Sequence, residues 1–296
     1  MPRNTRPLRF TQQYEINPNF TRSRYLFEKF SGSTPWLNPG ATGVTALPTA
    51  AQGQVDCAIS PMGYYYELFQ TTAQTILPFP HATKGLEISG DEVDNESLEI
   101  VPGGNRTNSP YAMTVGTDSD FFMRVQLEVT DASGSDQLVV GWRKVQTYAV
   151  PVGFLAATDP TYTDFAAIGF AGTKADPNPL RTITDLADQG AAPTVNAVNF
   201  TWADGKIHQL EVRVIGGKAL YLINGIRLGN PVAVDALGAA ITSQSTLTSA
   251  PYTFAAATVV VPFIFLRHDT DVAEDTFMRQ LEIGHTVDIG LDKTQE

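Results

Sequence analysis

Cysteine is almost missing from this chain: Cys57 is the single one in 296 residues, which excludes an intrachain disulfide framework. The chain is expected either to mature in a reducing cytoplasm or to need no bridges, and at this length it can bury a full core without them. No run of about 18 consecutive apolar residues occurs, so no membrane partner is expected. Residues 1–20 lack the apolar centre of a signal peptide, so Asn19, Asn95, Asn105 and Asn199, each opening an Asn-x-Ser/Thr triplet, are expected to be idle sequons. Helical periodicity is scarce too, limited to short stretches at residues 65–72 and 235–243.

Histidine is the next shortage. His81, His208, His268 and His285 fall in different expected elements without a two- or four-residue pairing, which speaks against zinc and against a hydrolytic triad. Cys57 has Asp56 and Ala58 beside it and no basic neighbour, the setting of an inert thiol. Gly103-Gly104 and Gly216-Gly217 read as hairpin turns rather than phosphate loops, and no cofactor is expected. Acidic runs at 131–136 and at Asp269, Asp271, Glu274 and Asp275 have calcium's oxygen chemistry without the spacing of a dedicated loop, so plain turns are expected there.

What the chain does have is alternation. In residues 209–215 Leu210, Val212 and Val214 alternate with Gln209, Glu211 and Arg213, the period of a half-buried strand. Gly216-Gly217 and Asn224-Gly225 supply two-residue hairpin turns on either side of residues 219–223, so residues 202–229 spell an antiparallel meander. Residues 121–130 alternate over ten positions, with Phe121, Met123, Val125, Leu127 and Val129 on one face and Phe122, Arg124, Gln126, Glu128 and Thr130 on the other. Further strands are expected at 25–30, 85–89, 97–101, 137–144, 146–152, 164–171, 195–200, 259–267 and 276–283. Trp36, Trp142 and Trp202 are expected in the core rather than as sugar-stacking platforms.

The net charge of -11 is unevenly spread. Residues 1–24 carry Arg3, Arg6, Arg9, Arg22 and Arg24 against Glu15 alone, a net +4, ahead of an acidic body. Such an arm is either a solvated tail or a segment that orders on an acidic partner, and Phe10, Tyr14 and Phe20 interleave its arginines. The acidic body would repel phosphate, so nucleic acid is not expected as a partner. Residues 34–83 are broken by six prolines and hold an aromatic island, Tyr64, Tyr65, Tyr66, Glu67, Leu68 and Phe69. That stretch is expected to be a small subdomain or an excursion laid over a neighbouring subunit.

The pattern Trp202-x-Asp204-Gly205-x-x-His208-x-Leu210-x-Val212-x-Val214, followed by a glycine turn, Leu220-Tyr221-Leu222-Ile223 and Asn224-Gly225, resembles the laminin G-like and concanavalin A-like jelly rolls. The resemblance implies an all-β antiparallel jelly-roll sandwich over residues 25–296 behind the arm at 1–24. The order Phe27-Glu-Lys-Phe-Ser-Gly32, the 121–130 strand, Gly141-Trp-Arg-Lys144, the meander, Pro262 to His268 and Arg279 to Gly284 further resembles jelly-roll proteins encoded with tailed-phage structural genes. That likeness implies a non-enzymatic virion component, most concretely a capsid decoration or cement protein assembled in the host cytoplasm. Without a repeat array or a long spine helix, it does not look like a major capsid shell protein of the tailed-phage type. Its partner would be the major capsid protein, its contacts Arg3, Arg6, Arg9, Phe10, Tyr14, Phe20, Arg22, Arg24, Tyr64, Tyr65 and Tyr66, and its state a homo-oligomer, dimer or trimer. The alternative is a glycan-binding, lectin-like module of a tail fibre using the concave sheet and the loops near Asn224-Gly225. A third reading is a glucanase, since Glu92-x-Asp94-x-Glu96 resembles the carboxylate strand of laminarinase-type enzymes, although Gly90-Asp91 and Ser97 around it read as a turn.

Overall fold

The computed structural model describes residues 24–30, 55–70, 79–81, 83–88, 97–132, 137–147, 162–170, 180–186, 194–198, 200–228, 253–267 and 275–286. Their regular structure is entirely strand. In chain order the first are β1 (Leu26–Lys29), β2 (Val55–Ile59), β3 (Tyr65–Gln70), β4 (Phe79–His81), β5 (Gly85–Glu87), β6 (Ser97–Pro102), β7 (Met113–Thr114) and β8 (Phe121–Val129). They are followed by β9 (Gln137–Lys144), β10 (Phe165–Phe170), β11 (Leu180–Asp185), β12 (Thr194–Ala197), β13 (Ile207–Ile215) and β14 (Lys218–Ile223). The last are β15 (Ile226–Arg227), β16 (Val259–Arg267) and β17 (Thr276–His285).

All pairings are antiparallel and build two sheets. The first runs β15-β14-β13-β8-β17, and β17 gives its other edge to β5 and β1 in succession, with β4 outside β5. The second runs β12-β11-β10-β9-β16-β6-β3-β2, with β7 on β16 ahead of β6. Pro262 lies where that edge of β16 changes partner, a place in a sheet where a proline is tolerated. The architecture is the expected jelly-roll sandwich.

Inward side chains of the two sheets share one core. From the first sheet come Phe121, Met123, Val125, Leu127, Leu210, Val212, Val214, Leu281 and Ile283; from the second come Leu98, Ile100, Val140, Trp142, Ile168 and Ile264. Trp142 joins them directly, since its Nε1–H donates to the Val212 carbonyl at 3.2 Å. The meander folds as its sequence says, with Asn224 and Gly225 both at positive φ (51° and 80°), the geometry of a type I′ turn that Asn-Gly favours.

Two expectations are corrected. Residues 65–70 are a strand, not a helix, and the aromatic island belongs to the sandwich rather than to a separate subdomain or an excursion: Tyr66 and Leu68 face the core, Phe69 is buried on the opposite face, and Tyr64 and Tyr65 are half-buried. The strand expected at 146–152 does not begin at Gln146, because β9 ends at Lys144 and the chain leaves the sheet. Residues 235–243 and Trp36 lie outside the described residues.

Tyr66 takes an unusual partner. Its hydroxyl donates to the carboxylate of Glu28, which sits on β1 yet faces inward and is 1% exposed. Burial pushes the Glu28 pKa above the ordinary carboxylate value, while hydrogen bonds from Ser60 and Tyr66 pull the other way; Tyr64 and Tyr111 also lie near the pair. With a raised pKa the native state holds the proton longer, so stability falls as pH rises from the unfolded-state value through the folded one. Glu28→Gln removes that loss and keeps an acceptor for Tyr66. Its melting temperature should exceed the wild type's at pH 7, and the gap should close by about pH 4. An equal gap at both pH values would contradict this.

Candidate functional site

The two outer faces differ in kind. On the second sheet the outward side chains Phe69, Val101, Val139, Phe165, Ile183, Phe263 and Phe265 form a second buried apolar cluster. Within it Arg143 and Glu99, both 0% exposed, pair at 2.5 Å, and the Tyr162 hydroxyl donates to the second Glu99 oxygen at 2.6 Å. That face is filled.

The outer face of the first sheet carries charged and amide side chains, half-buried at Arg124, Gln126, Gln209 and Gln280 and buried at Glu128, Glu211 and Glu282, and strand register orders it into rows. One row sets Glu211 of β13, Arg124 of β8 and Glu282 of β17 side by side. Arg124 spans both carboxylates at 2.9 Å, Arg213 reaches Glu211 at 2.5 Å, and the Tyr25 hydroxyl donates to Glu282 at 3.0 Å. One row over, Arg279 pairs with Glu128. The named charges cancel: Glu128, Glu211 and Glu282 against Arg124, Arg213 and Arg279.

Between those rows lies a line of amides. Gln209 of β13, Gln126 of β8 and Gln280 of β17 are direct cross-strand partners, Asn224 extends the line beyond Gln209, and Lys29 of β1 ends it beyond Gln280. All three glutamines are half-buried, and among the described residues nothing donates to or accepts from their side-chain amides. At its Asn224 end the line opens into a cleft of about 240 Å³ lined by Gln126, Ile207, His208, Gln209, Asn224 and Gly225.

Local geometry fixes the cleft's polarity. The Asn224 Oδ1 accepts the Gln209 backbone N–H at 2.9 Å, which leaves its Nδ2 facing the His208 Nδ1 at 3.0 Å. The imidazole is therefore the acceptor at Nδ1 and carries its proton on Nε2. Burial lowers the His208 pKa, so the ring is held neutral at pH 7. Phe200 and Trp202 pack edge-on against it, at 5.0 and 4.6 Å between centroids. His208 Nε2 and Trp202 Nε1 are both buried without a hydrogen-bond partner. Trp202 and Trp142 are core residues, as expected.

The sequence-derived contacts do not gather here. Arg3, Arg6, Arg9, Phe10, Tyr14, Phe20 and Arg22 lie outside the described residues. Arg24 pairs with Asp118, which also accepts the Thr114 N–H, so that side chain is tied to the sandwich body rather than reaching from an arm. Glu92, Asp94, Glu96 and His268 lie outside the described residues, as do the calcium candidates other than Asp131, Ala132 and Asp275. No three His, Cys, Asp or Glu side chains converge among the described residues, so they supply no metal site on which to build. His81 and His285 are far apart, one on β4 and one closing β17. What sequence reasoning missed is the amide line. Its only trace is that Gln126 and Gln209 fall on the outward phase of their alternating strands.

No protein-family model matches the chain, and no curated protein sequence does. Solved structures are similar to it at low identity. The legume lectin-like domain from Entamoeba histolytica is 9% identical over 75% of this chain and 90% of its own, with a TM-score of 0.45. Arcelin-5, a lectin-like defense protein from Phaseolus vulgaris, is 10% identical over 89% and 100%, with a TM-score of 0.41. The exoplasmic/lumenal domain of VIP36 in its Ca2+/Man-bound form is 9% identical over 75% and 83%, with a TM-score of 0.42. These neighbours are lectin-like sandwiches. The likeness is one of fold, and the site has to be argued from its own residues.

Proposed function

We propose that this protein is a non-enzymatic, lectin-like module that binds a glycan on the outer face of its first sheet, at the cleft beside Asn224-Gly225. The observation that carries the reading is the in-register line of half-buried amides whose hydrogen-bonding groups the described residues leave unengaged. Each such amide offers two donors and an acceptor, the complement of vicinal sugar hydroxyls, and desolvating it without a ligand bond would be unfavourable. The carboxylates flanking the amide line, Glu128, Glu211 and Glu282, are each held by a guanidinium and offer no free acid beside it; Glu87, farther out on β5 across from Phe277, has no such partner among the described residues. The capsid-decoration reading draws on the basic arm, most of which lies outside the described residues, and no geometry favours it here.

A glycan array followed by calorimetry on the hits tests the proposal. Gln126→Ala should weaken binding about tenfold, the worth of one net hydrogen bond. Arg106→Ala, at an exposed position beside Glu67 of the second sheet, should stay within twofold. No binding to any glycan, or binding indifferent to Gln126→Ala, would overturn the reading.

A further inference from the structure

The same face points to the kind of glycan. Resting on the reading above, we propose that the ligand is a neutral, extended oligosaccharide of about four sugars that runs across the strands from Asn224 to Gln280, not a single terminal sugar seated in the cleft. Three observations carry this. The amides lie on successive strand positions, so Asn224, Gln209, Gln126 and Gln280 mark out three interstrand steps of about 4.8 Å each. An extended β-linked glycan advances by close to that distance per sugar, so one amide falls to each ring. A ligand confined to the cleft would leave Gln280 unused.

Charge is the second observation. The carboxylates flanking the line, Glu128, Glu211 and Glu282, are matched by Arg124, Arg213 or Arg279, and the bonds are already made within the protein. A uronic acid would find no uncommitted guanidinium between Gln209 and Gln280; the cations without an ion pair among the described residues, Arg227 beside the Asn224-Gly225 turn and Lys29, stand at the two ends. Hydroxyls need none.

The third is the border. Ile207 at the cleft end and Phe27 beside Lys29 are among the few exposed large apolar side chains, at 52% and 38% exposure. They flank the two ends of the line, where the C–H faces of terminal sugars would rest.

The test is a length series of cello-, laminari-, manno- and xylo-oligosaccharides from one to six sugars, with oligogalacturonates as the acidic control, measured by calorimetry on the full chain. In the series that binds, affinity should rise several-fold with each sugar up to about four and then level off. Gln280→Ala should weaken the tetrasaccharide about tenfold and leave the disaccharide unchanged. Melting curves of the variant matching the wild type would confirm that the fold is retained. Affinity that saturates at one or two sugars, indifference to Gln280→Ala, or tighter binding of oligogalacturonate would overturn the extended neutral ligand while leaving a cleft-bound glycan in place. Failure of every glycan to bind would overturn both.

Discussion

Arg143→Met is expected to destabilise the fold by about 3–5 kcal/mol, the cost of stranding one partner of a buried ion pair. Arg143 has no exposure and spends its whole guanidinium inside the protein: Nε and Nη2 on Glu99 at 2.8 and 2.5 Å, and Nη1 on the Asn105 side chain at 3.0 Å and its neighbour Lys144's carbonyl at 3.1 Å. Its guanidinium also lies over the Tyr162 ring, 4.6 Å from the centroid. Without it Glu99 keeps the Tyr162 hydroxyl and sits between the side chains of its cross-strand neighbours Phe265 and Phe69. A carboxylate in that setting must take up a proton or draw in water. Thermal melting should fall by roughly 5–15 °C for a chain of this size. The double change Arg143→Met with Glu99→Leu should recover most of the loss, because apolar residues fit the surrounding cluster and no charge is left unpaired. A double variant as unstable as the single one would show that the polar links, not the unpaired charge, hold this face together.

Trp142→Ala should cost about 3–5 kcal/mol as well, by a different route. Its indole is fully buried between the sheets, meets Phe121 edge-on at 4.7 Å between centroids, and bonds across the sandwich to Val212. Alanine leaves a cavity in the middle of the core and removes the bond between the sheets. Trp142→Phe keeps much of the ring and loses the bond, so its cost should be about 1–2 kcal/mol. Urea midpoints separate the two: equal losses for alanine and phenylalanine would assign the effect to the hydrogen bond rather than to packing.

The contrast between these two positions also explains what the sequence could reveal. Strands with one wet face announce themselves, as β8 and β13 do through Met123, Val125 and Leu210, Val212 alternating with Arg124, Gln126, Gln209 and Glu211. Turn chemistry pinned the meander, because Asn224-Gly225 leaves few other conformations. β3 was hidden because it is buried on both faces: Tyr66 and Leu68 pack inward, Phe69 packs outward, and no alternation survives to be read. Arg143 and Glu99 lie on strands of the same kind, and nothing in the sequence marks them as a buried pair.

The site was less legible than the fold. Gln126, Gln209 and Gln280 come from strands widely separated in sequence, and glutamine carries no motif. Only the register of β13, β8 and β17 makes them neighbours. The Asn224-Gly225 turn was visible from the outset as a hairpin and as a loop a lectin could use. That it orients Asn224 toward His208 required coordinates.

The central claim is that the amide line is where a glycan binds. Its most direct measurement is an NMR titration that follows the side-chain amide signals of glutamine and asparagine while a neutral tetrasaccharide, cellotetraose, laminaritetraose, mannotetraose or xylotetraose, is added. Gln126, Gln209, Gln280 and Asn224 should shift together and saturate at one ligand concentration, with Asn105 beside the second sheet unmoved. Shifts at Asn105 with the glutamine line silent, or no saturable shift with any of the four sugars, would contradict the account.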